Sequence, residues 1–354
     1  MVNRGNNDFM PAVAIAPGKT IRENMKFLGM NQKELAARLG ITEKHLCNIL
    51  SGNAAITYET ALRLESVIGP SAKFWMNLET NYQLNKARLE EQANLEEDLR
   101  ILKEIPYDEM SKYCWVKETK DKKERVLNCR EFFRVSKLSL IKSTYEVAFR
   151  THKHEGELPD YKVLAWLRES ELEGLDTEVQ KIDKKKLEKL IPIFRELTLK
   201  SSSDFYPEMK RLCAECGVAL VLIPYISKTY ICGAVIWRDN REILALSGRG
   251  KRADVFWFTF FHELAHLINH SGKRFHIGFE NDEDEADGLA SNYLIPEDKY
   301  REFIDEYDYT NKDSIISYAY GIGIAPFMLL GRLLHEGYLE YKYYRDLIPD
   351  YELI

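Results

Sequence analysis

The amino-acid sequence predicts a mostly α-helical chain with one small α+β region, and three observations carry that reading. Residues 17–88 consist of short amphipathic stretches, each opened by a polar cap and closed by glycine. Residues 89–200 and 301–354 keep a helical spacing of apolar positions under dense charge. Near residue 217 the pattern changes to short runs rich in β-branched residues, followed by a long apolar stretch that carries histidines. A chain of 354 residues exceeds one ordinary core. Four segments are therefore expected: 1–88, a five-helix head; 89–200, a helical linker or docking region; 201–300, the α+β region; and 301–354, a helical tail.

The head has the clearest punctuation. In "NQKELAARLG", Asn31 is placed to cap, Leu35, Ala36 and Leu39 form the apolar stripe, and Gly40 supplies the stop. "ITEKHLCNILSG" repeats the device, with Thr42 as cap, Leu46, Ile49 and Leu50 inside and Gly52 at the end. Two short helices joined by a tight glycine turn are the helix-turn-helix signature. "TYETALRLESVIG" adds a helix capped by Thr57, with Ala61, Leu62 and Leu64 expected inward. Charge follows the same division. Residues 1–88 carry 11 Lys+Arg against 7 Asp+Glu, a balance of +4, whereas the remainder carries −10 and the whole chain −6. A basic head on an acidic body confines nucleic-acid contact to the head.

The middle segment, with "LEEQANLEEDLRILKEI", "SLIKSTYEVAFRTH", "YKVLAWLRESELEGL" and "DKKKLEKLIPIFRELTLK", shows no catalytic constellation. Its Glu- and Lys-rich runs are expected to be solvated helix faces. "GVALVLIPYI", "TYICGAVIWR" and "REILALSG" are expected strands, the last two forming a hairpin through Asp239-Asn240. A helix from Ala253 to His270 follows, then a polar loop, then a helix ending at Pro296. The tail suggests two helices split near Gly323, and Gly, Pro and Arg interrupt "IGIAPFMLLGRLL", so no membrane span is expected. The first residues lack the apolar run of a secretory signal, and six cysteines form no disulfide framework, which together predict a cytoplasmic protein. Cys213-Ala-Glu-Cys216 has CxxC spacing but no second pair, and fits a helix end packed before Gly217.

The chemistry concentrates in "FFHELAHLINH". His262-Glu263-Leu264-Ala265-His266 is an HExxH pattern. On a helix, residues i and i+4 share a face with Cβ atoms about 5–6 Å apart, so two imidazoles can converge on one Zn2+ ion. Glu263, offset by one residue, is placed to take a proton from water without binding the metal. The flanks are apolar enough to bury this helix nearly all round, and burying two histidines and a glutamate without partners would cost several kcal/mol. A cation removes that objection. His270 lies about 12 Å further along the axis, too far to share the same ion. A third ligand is expected from the next helix, where Glu283 and Asp287 fall at i and i+4, one to bind the metal and the other to hold a ligand histidine in its tautomer. Glu285 is the rival ligand in the same acidic run. Two histidines and a carboxylate leave a fourth position open, the catalytic arrangement.

"FWFTFFHELAHLINH" followed by "EDEADGLASNYLIP" resembles the ImmA/IrrE family of metallo-endopeptidases. The resemblance implies a zincin-like, gluzincin-type domain with His262, His266 and Glu283 as ligands, Glu263 as base, and limited proteolysis of a partner regulatory protein. Ala265 and "DGLA" depart mildly from the family pattern, and Gly288 within the helix should cost about 1 kcal/mol. Residues 17–84 resemble HigA-type antitoxins, a branch of the phage-repressor-like helix-turn-helix class. That likeness implies binding of double-stranded operator DNA by a homodimer, and a cognate toxin as alternative partner. In such folds the second helix enters the major groove. Glu43, Lys44 and Asn48 are then the expected base readers, with Gln32, Thr42 and His45 on phosphates.

Overall fold

The computed structural model describes residues 13–150, 160–238, 241–248, 252–269, 275–276 and 283–351. Two compact units divide at Asp98 and Leu99. The first is helical: α1 Gly18–Phe27, α2 Gln32–Leu39, α3 Glu43–Ser51, α4 Tyr58–Ile68 and the start of the long α5, Ala72–Ile101. The short helices α2, α3 and α4 have their predicted caps. Asn31 accepts from Glu34 N at 2.8 Å, Thr42 from His45 N at 3.1 Å and Thr57 from Thr60 N at 3.2 Å. Gly40 and Gly52 take left-handed conformations (φ 63° and 77°) and turn their amides back onto the last helical carbonyls. The core joins Ile21, Leu35, Leu39, Leu46, Ile49, Leu50, Leu64 and Trp75. One expectation fails: Leu62 is 59% exposed. The buried face of α4 runs through Ala61, Leu64 and Ile68, and a residue one step from Ala61 sits about 100° away on the helix.

The second unit begins with α6 Tyr107–Lys112, α7 Lys122–Phe133, α8 Leu140–Arg150 and α9 Tyr161–Asp176. Next come α10 Lys184–Lys189, α11 Ile191–Leu197 and α12 Ser202–Glu215. The expectation of solvated faces is wrong for α9, where Arg168, Ser170 and Glu171 are buried among Leu164, Trp166 and Leu167. Its charges are paired internally, Arg168 with Glu171 and Glu171 with Arg238, so the helix can be enclosed on more than its apolar face. Cys213 and Cys216 are fully buried at the end of α12 before Gly217 (φ 84°), and burial pushes the Cys213 thiol up.

The sheet has strand order β1 Val218–Ile223, β3 Arg241–Ser247, β2 Gly233–Arg238, β4 Phe275–His276. β1 runs parallel to β3, whereas β2 is antiparallel to β3 from Gly233↔Leu246 to Arg238↔Arg241. The expected turn at Asp239-Asn240 lies outside the described residues. Alternate strand residues face opposite ways. Leu220, Val235, Trp237, Leu244 and Leu246 join the main core, while Ile243 meets α9 at Gly174, where a Cβ would come within 2.6 Å. On the core side lies α13, Ala253–Asn269, followed by α14 Glu283–Leu294, α15 Glu297–Glu306, α16 Lys312–Gly321 and α17 Pro326–His335. The terminal segment ties down the start of α13: Ala253 N donates to Pro349 O (3.0 Å), and Trp257 Nε1 donates to the Tyr351 hydroxyl (3.1 Å). Among the described residues no single helix is long and apolar enough to cross a membrane; α16 and α17 are bent by 119°, and α17 buries Phe327, Leu330 and Leu333 in the core.

Candidate metal centre and nucleic-acid interface

Burial of α13 is what makes its polar residues informative. Phe256, Trp257, Phe260, Phe261, Leu264 and Leu267 are enclosed, and so are His262, Glu263 and His266, at 9%, 3% and 0% exposure. The two imidazoles meet with Nε2 atoms 3.0 Å apart and rings inclined at 74°. Two ligands held at roughly 2.0–2.1 Å around a tetrahedral ion stand about 3.3 Å apart. The ring nitrogens are therefore already near the spacing that a shared zinc requires.

Asp287 comes from α14, and its Oδ1 accepts from His262 Nδ1 at 2.8 Å. With that proton on Nδ1, neutral His262 presents the Nε2 lone pair towards His266. The helices approach closely because α14 buries the small residues Ala286 and Ala290, at 1% and 0% exposure, leaving Asp287 at the margin of the contact. Glu263 lies against β2. A Cβ on Gly233 would fall 2.7 Å from Glu263 Oε1, so the absent side chain is the space the carboxylate occupies. Sequence inspection missed Gly233, because a strand pattern does not reveal which later helix will cross it.

The remaining candidates fall as follows. Glu283 opens α14 one turn before Asp287, and its side chain lies outside the described residues, as does His270. Glu285 is exposed. Among the described residues no third His, Cys, Asp or Glu completes a metal-holding group. The donor set that is described, two converging imidazoles with one tautomer fixed by a carboxylate, fits zinc. A cavity of about 190 Å³ lies between α13, α14 and α17, bordered by Phe258, Leu294 and Met328 and by the charged Arg252, Asp254, Arg332 and Glu336; the donor residues themselves do not line it. Phe258 lies one turn before His262, with ring centroids 6.2 Å apart.

In the first unit, α2 and α3 are set by the left-handed Gly40, and Arg63 of α4 donates to the carbonyls of Leu39 and Gly40 at 2.8 and 3.1 Å. That guanidinium holds the turn between the two helices. Gln32, Thr42, Glu43, Lys44 and His45 are exposed and Asn48 is half-buried, so α3 offers its N-terminal side chains to a partner. Thr42 Oγ1 is occupied as the cap, while Leu46, Ile49 and Leu50 bury the opposite face. Gly18 permits the packing of α1 behind α3, since a Cβ there would meet Leu50 O at 2.0 Å.

A helix-turn-helix head and a buried HExxH helix beside a small sheet define the class: a regulator-type helix-turn-helix module followed by an α+β domain that carries HExxH. Residues 21–72 match the helix-turn-helix family and residues 220–325 the IrrE N-terminal-like domain. Virulence-associated protein I of Dichelobacter nodosus is 36% identical over 90 residues, 25% of this chain and 81% of that protein. The HTH-type transcriptional regulator YddM of Escherichia coli (strain K12) is 35% identical over 71 residues, 20% of this chain and 76% of its own length. Among solved structures, an addiction module antidote protein of a HigA family from Coxiella burnetii shares 34% identity, covering 24% of this chain and 94% of that one, with a TM-score of 0.22. The chain belongs to the helix-turn-helix regulators and carries an IrrE/ImmA-like peptidase domain.

Proposed function

We propose that this protein is a cytoplasmic DNA-binding regulator whose second unit is a zinc-dependent endopeptidase acting on a partner regulatory protein. The observation that carries the enzymatic half is the convergence of His262 and His266 Nε2 at 3.0 Å, with Asp287 on the remaining nitrogen of His262. In this reading His262, His266 and Glu283 hold the metal. Zinc, when bound, supplies Lewis acidity and makes water a nucleophile near neutral pH.

The chain's own residues do the rest. Glu263, walled by Gly233, takes the proton as water attacks the scissile carbonyl and delivers it to the leaving amine. Asp287 holds His262 in one tautomer throughout. The cavity bordered by Phe258 and Met328 receives an apolar side chain of the partner. On the DNA side, a dimer would place Glu43, Lys44 and Asn48 on base edges of an operator, with Gln32, Thr42 and His45 near the backbone.

The test is co-expression of the full chain with each product of the neighbouring genes, comparing wild type with Glu263→Gln. Cleavage of one partner is expected from the wild type, with a loss of about 10²–10⁴-fold in the variant and zinc content unchanged. Equal cleavage by both proteins would remove Glu263 as the base. Zinc retention with no cleavage of any partner by either would leave an autorepressing antitoxin of a toxin-antitoxin module, whose metal site is structural or catalytically silent.

A further inference from the structure

Outside both matched stretches, the helices at the start of the second unit enclose an open groove of about 780 Å³. Small-molecule sites usually span roughly 300–1,000 Å³. Its lining is mainly basic: Lys117, Arg130, Arg134 and Arg168 border it with the exposed Glu131, and the buried Glu171 pairs with Arg168. This bias stands out in a chain whose residues beyond the head are acidic overall. The groove beside α12 shows the opposite mixture, with Glu173, Asp176 and Glu178 facing Lys210 and Arg211.

One of these cations is buried and fixed, and Lys117 and Arg134 are exposed. Arg168 is 9% exposed. Its Nε donates to Phe132 O at 3.0 Å and its Nη1 pairs with Glu171, which also pairs with Arg238. Arg134 ends α7 in the left-handed region (φ 52°), a conformation that L side chains seldom adopt. The neighbouring wall contains a second such residue, Cys114 (φ 62°), directly before Trp115. Both residues are helix stops: the amides of Arg134 and Val135 close on α7, and those of Cys114 and Trp115 on α6.

The same groove is bordered by a stacked aromatic pair. The rings of Trp115 and Phe132 lie within 2° of parallel, with centroids 6.5 Å apart, and both border the opening. Asn128 adds a polar edge: its Nδ2 donates to the Tyr107 hydroxyl at 2.7 Å, which leaves Oδ1 to accept from a ligand amine. Guanidinium groups match phosphate oxygens in paired geometry. Aromatic faces stack on any nucleobase, because every base has a π-face.

We infer that the groove between α7 and α9 binds a small anion that carries a flat ring, of the mononucleotide class, with Lys117, Arg130, Arg134 and Arg168 around the phosphate and Trp115 and Phe132 beside the base. A duplex does not suit this recess, because its convex backbone needs an open positive face. The inference stands apart from the peptidase reading, since it uses none of His262, Glu263, His266, Glu283 and Asp287.

The experiment is calorimetric titration of the full chain with AMP, GMP, CMP, adenosine and inorganic phosphate. At least one nucleotide should bind saturably, at least about tenfold more tightly than adenosine or phosphate alone. The comparison protein is Lys117→Glu with Arg134→Asn; both positions are exposed, and Asn tolerates the left-handed conformation. It should keep the circular dichroism of the wild type and lose at least about tenfold in nucleotide affinity. The proposal is overturned by no saturable nucleotide binding up to about 5 mM. It is equally overturned by undiminished binding in the folded variant, or by phosphate or adenosine alone binding as well as the nucleotide.

Discussion

The helix-turn-helix head and the candidate metal centre reach order by different routes. In the head, the contacts that start and stop the short helices α2 and α3 are local: the caps span three residues, and the glycine stops close on the helix just finished, with Arg63 adding one longer-range brace to the turn. At the metal centre the decisive contacts are remote. Asp287 reaches His262 across 25 positions, and Gly233 makes room for Glu263 across 30. Local order resists change at distant sites, whereas a site assembled from three elements depends on each of them.

That contrast predicts a graded series of mutational effects. The largest is at the reading helix, because base contacts act additively. Lys44→Ala with Asn48→Ala should weaken binding to the DNA upstream of its own gene by about 2–6 kcal/mol, from about 1–3 kcal/mol per base contact. Gel-shift titration at fixed salt measures this, and unchanged affinity would reassign the reading surface. Next comes Gly233→Ala. The new methyl must displace the flexible end of Glu263, so stability should fall by only about 1–3 kcal/mol. Cleavage of the partner identified by co-expression should fall about 10²-fold, since a shift of an ångström misplaces the base. Full activity in that variant would show that Glu263 does not work from its position over β2.

Asp287→Asn is expected to weaken zinc binding about 10–100-fold, read by competition with a chromophoric chelator. If affinity stays level, the Asp287–His262 contact does not orient the ligand. The smallest effect belongs to the head's local devices. Thr42→Ala should cost about 1 kcal/mol of stability, as for loss of any single N-cap, and thermal denaturation of the full chain would detect it. A loss several times larger would mean that Thr42 also supports packing between α2 and α3.

The elements that were legible beforehand share a short range. HExxH spacing placed two imidazoles on one face because the helical period alone decides it. Caps and glycine stops marked α2, α3 and α4 for the same reason. Leu62 was misplaced because an apolar residue beside a buried face is indistinguishable, by hydropathy, from one on it. Arg168 and Glu171 were misread as solvated because sequence shows a charge but not the partner that neutralises it. The same blindness hid the groove of Trp115, Lys117, Arg134 and Arg168, whose members come from a loop, α7 and α9.

By itself, the sequence determined that this chain carries a helix-turn-helix head and a buried HExxH helix, because caps, stops and i,i+4 spacing act within a turn or two of the chain. The tertiary structure alone decided that Asp287 meets His262 Nδ1, that Gly233 walls Glu263, and that four cations share one groove. Those arrangements follow from which helix packs on which strand, and packing brings together residues whose separation in the sequence carries no sign of their contact.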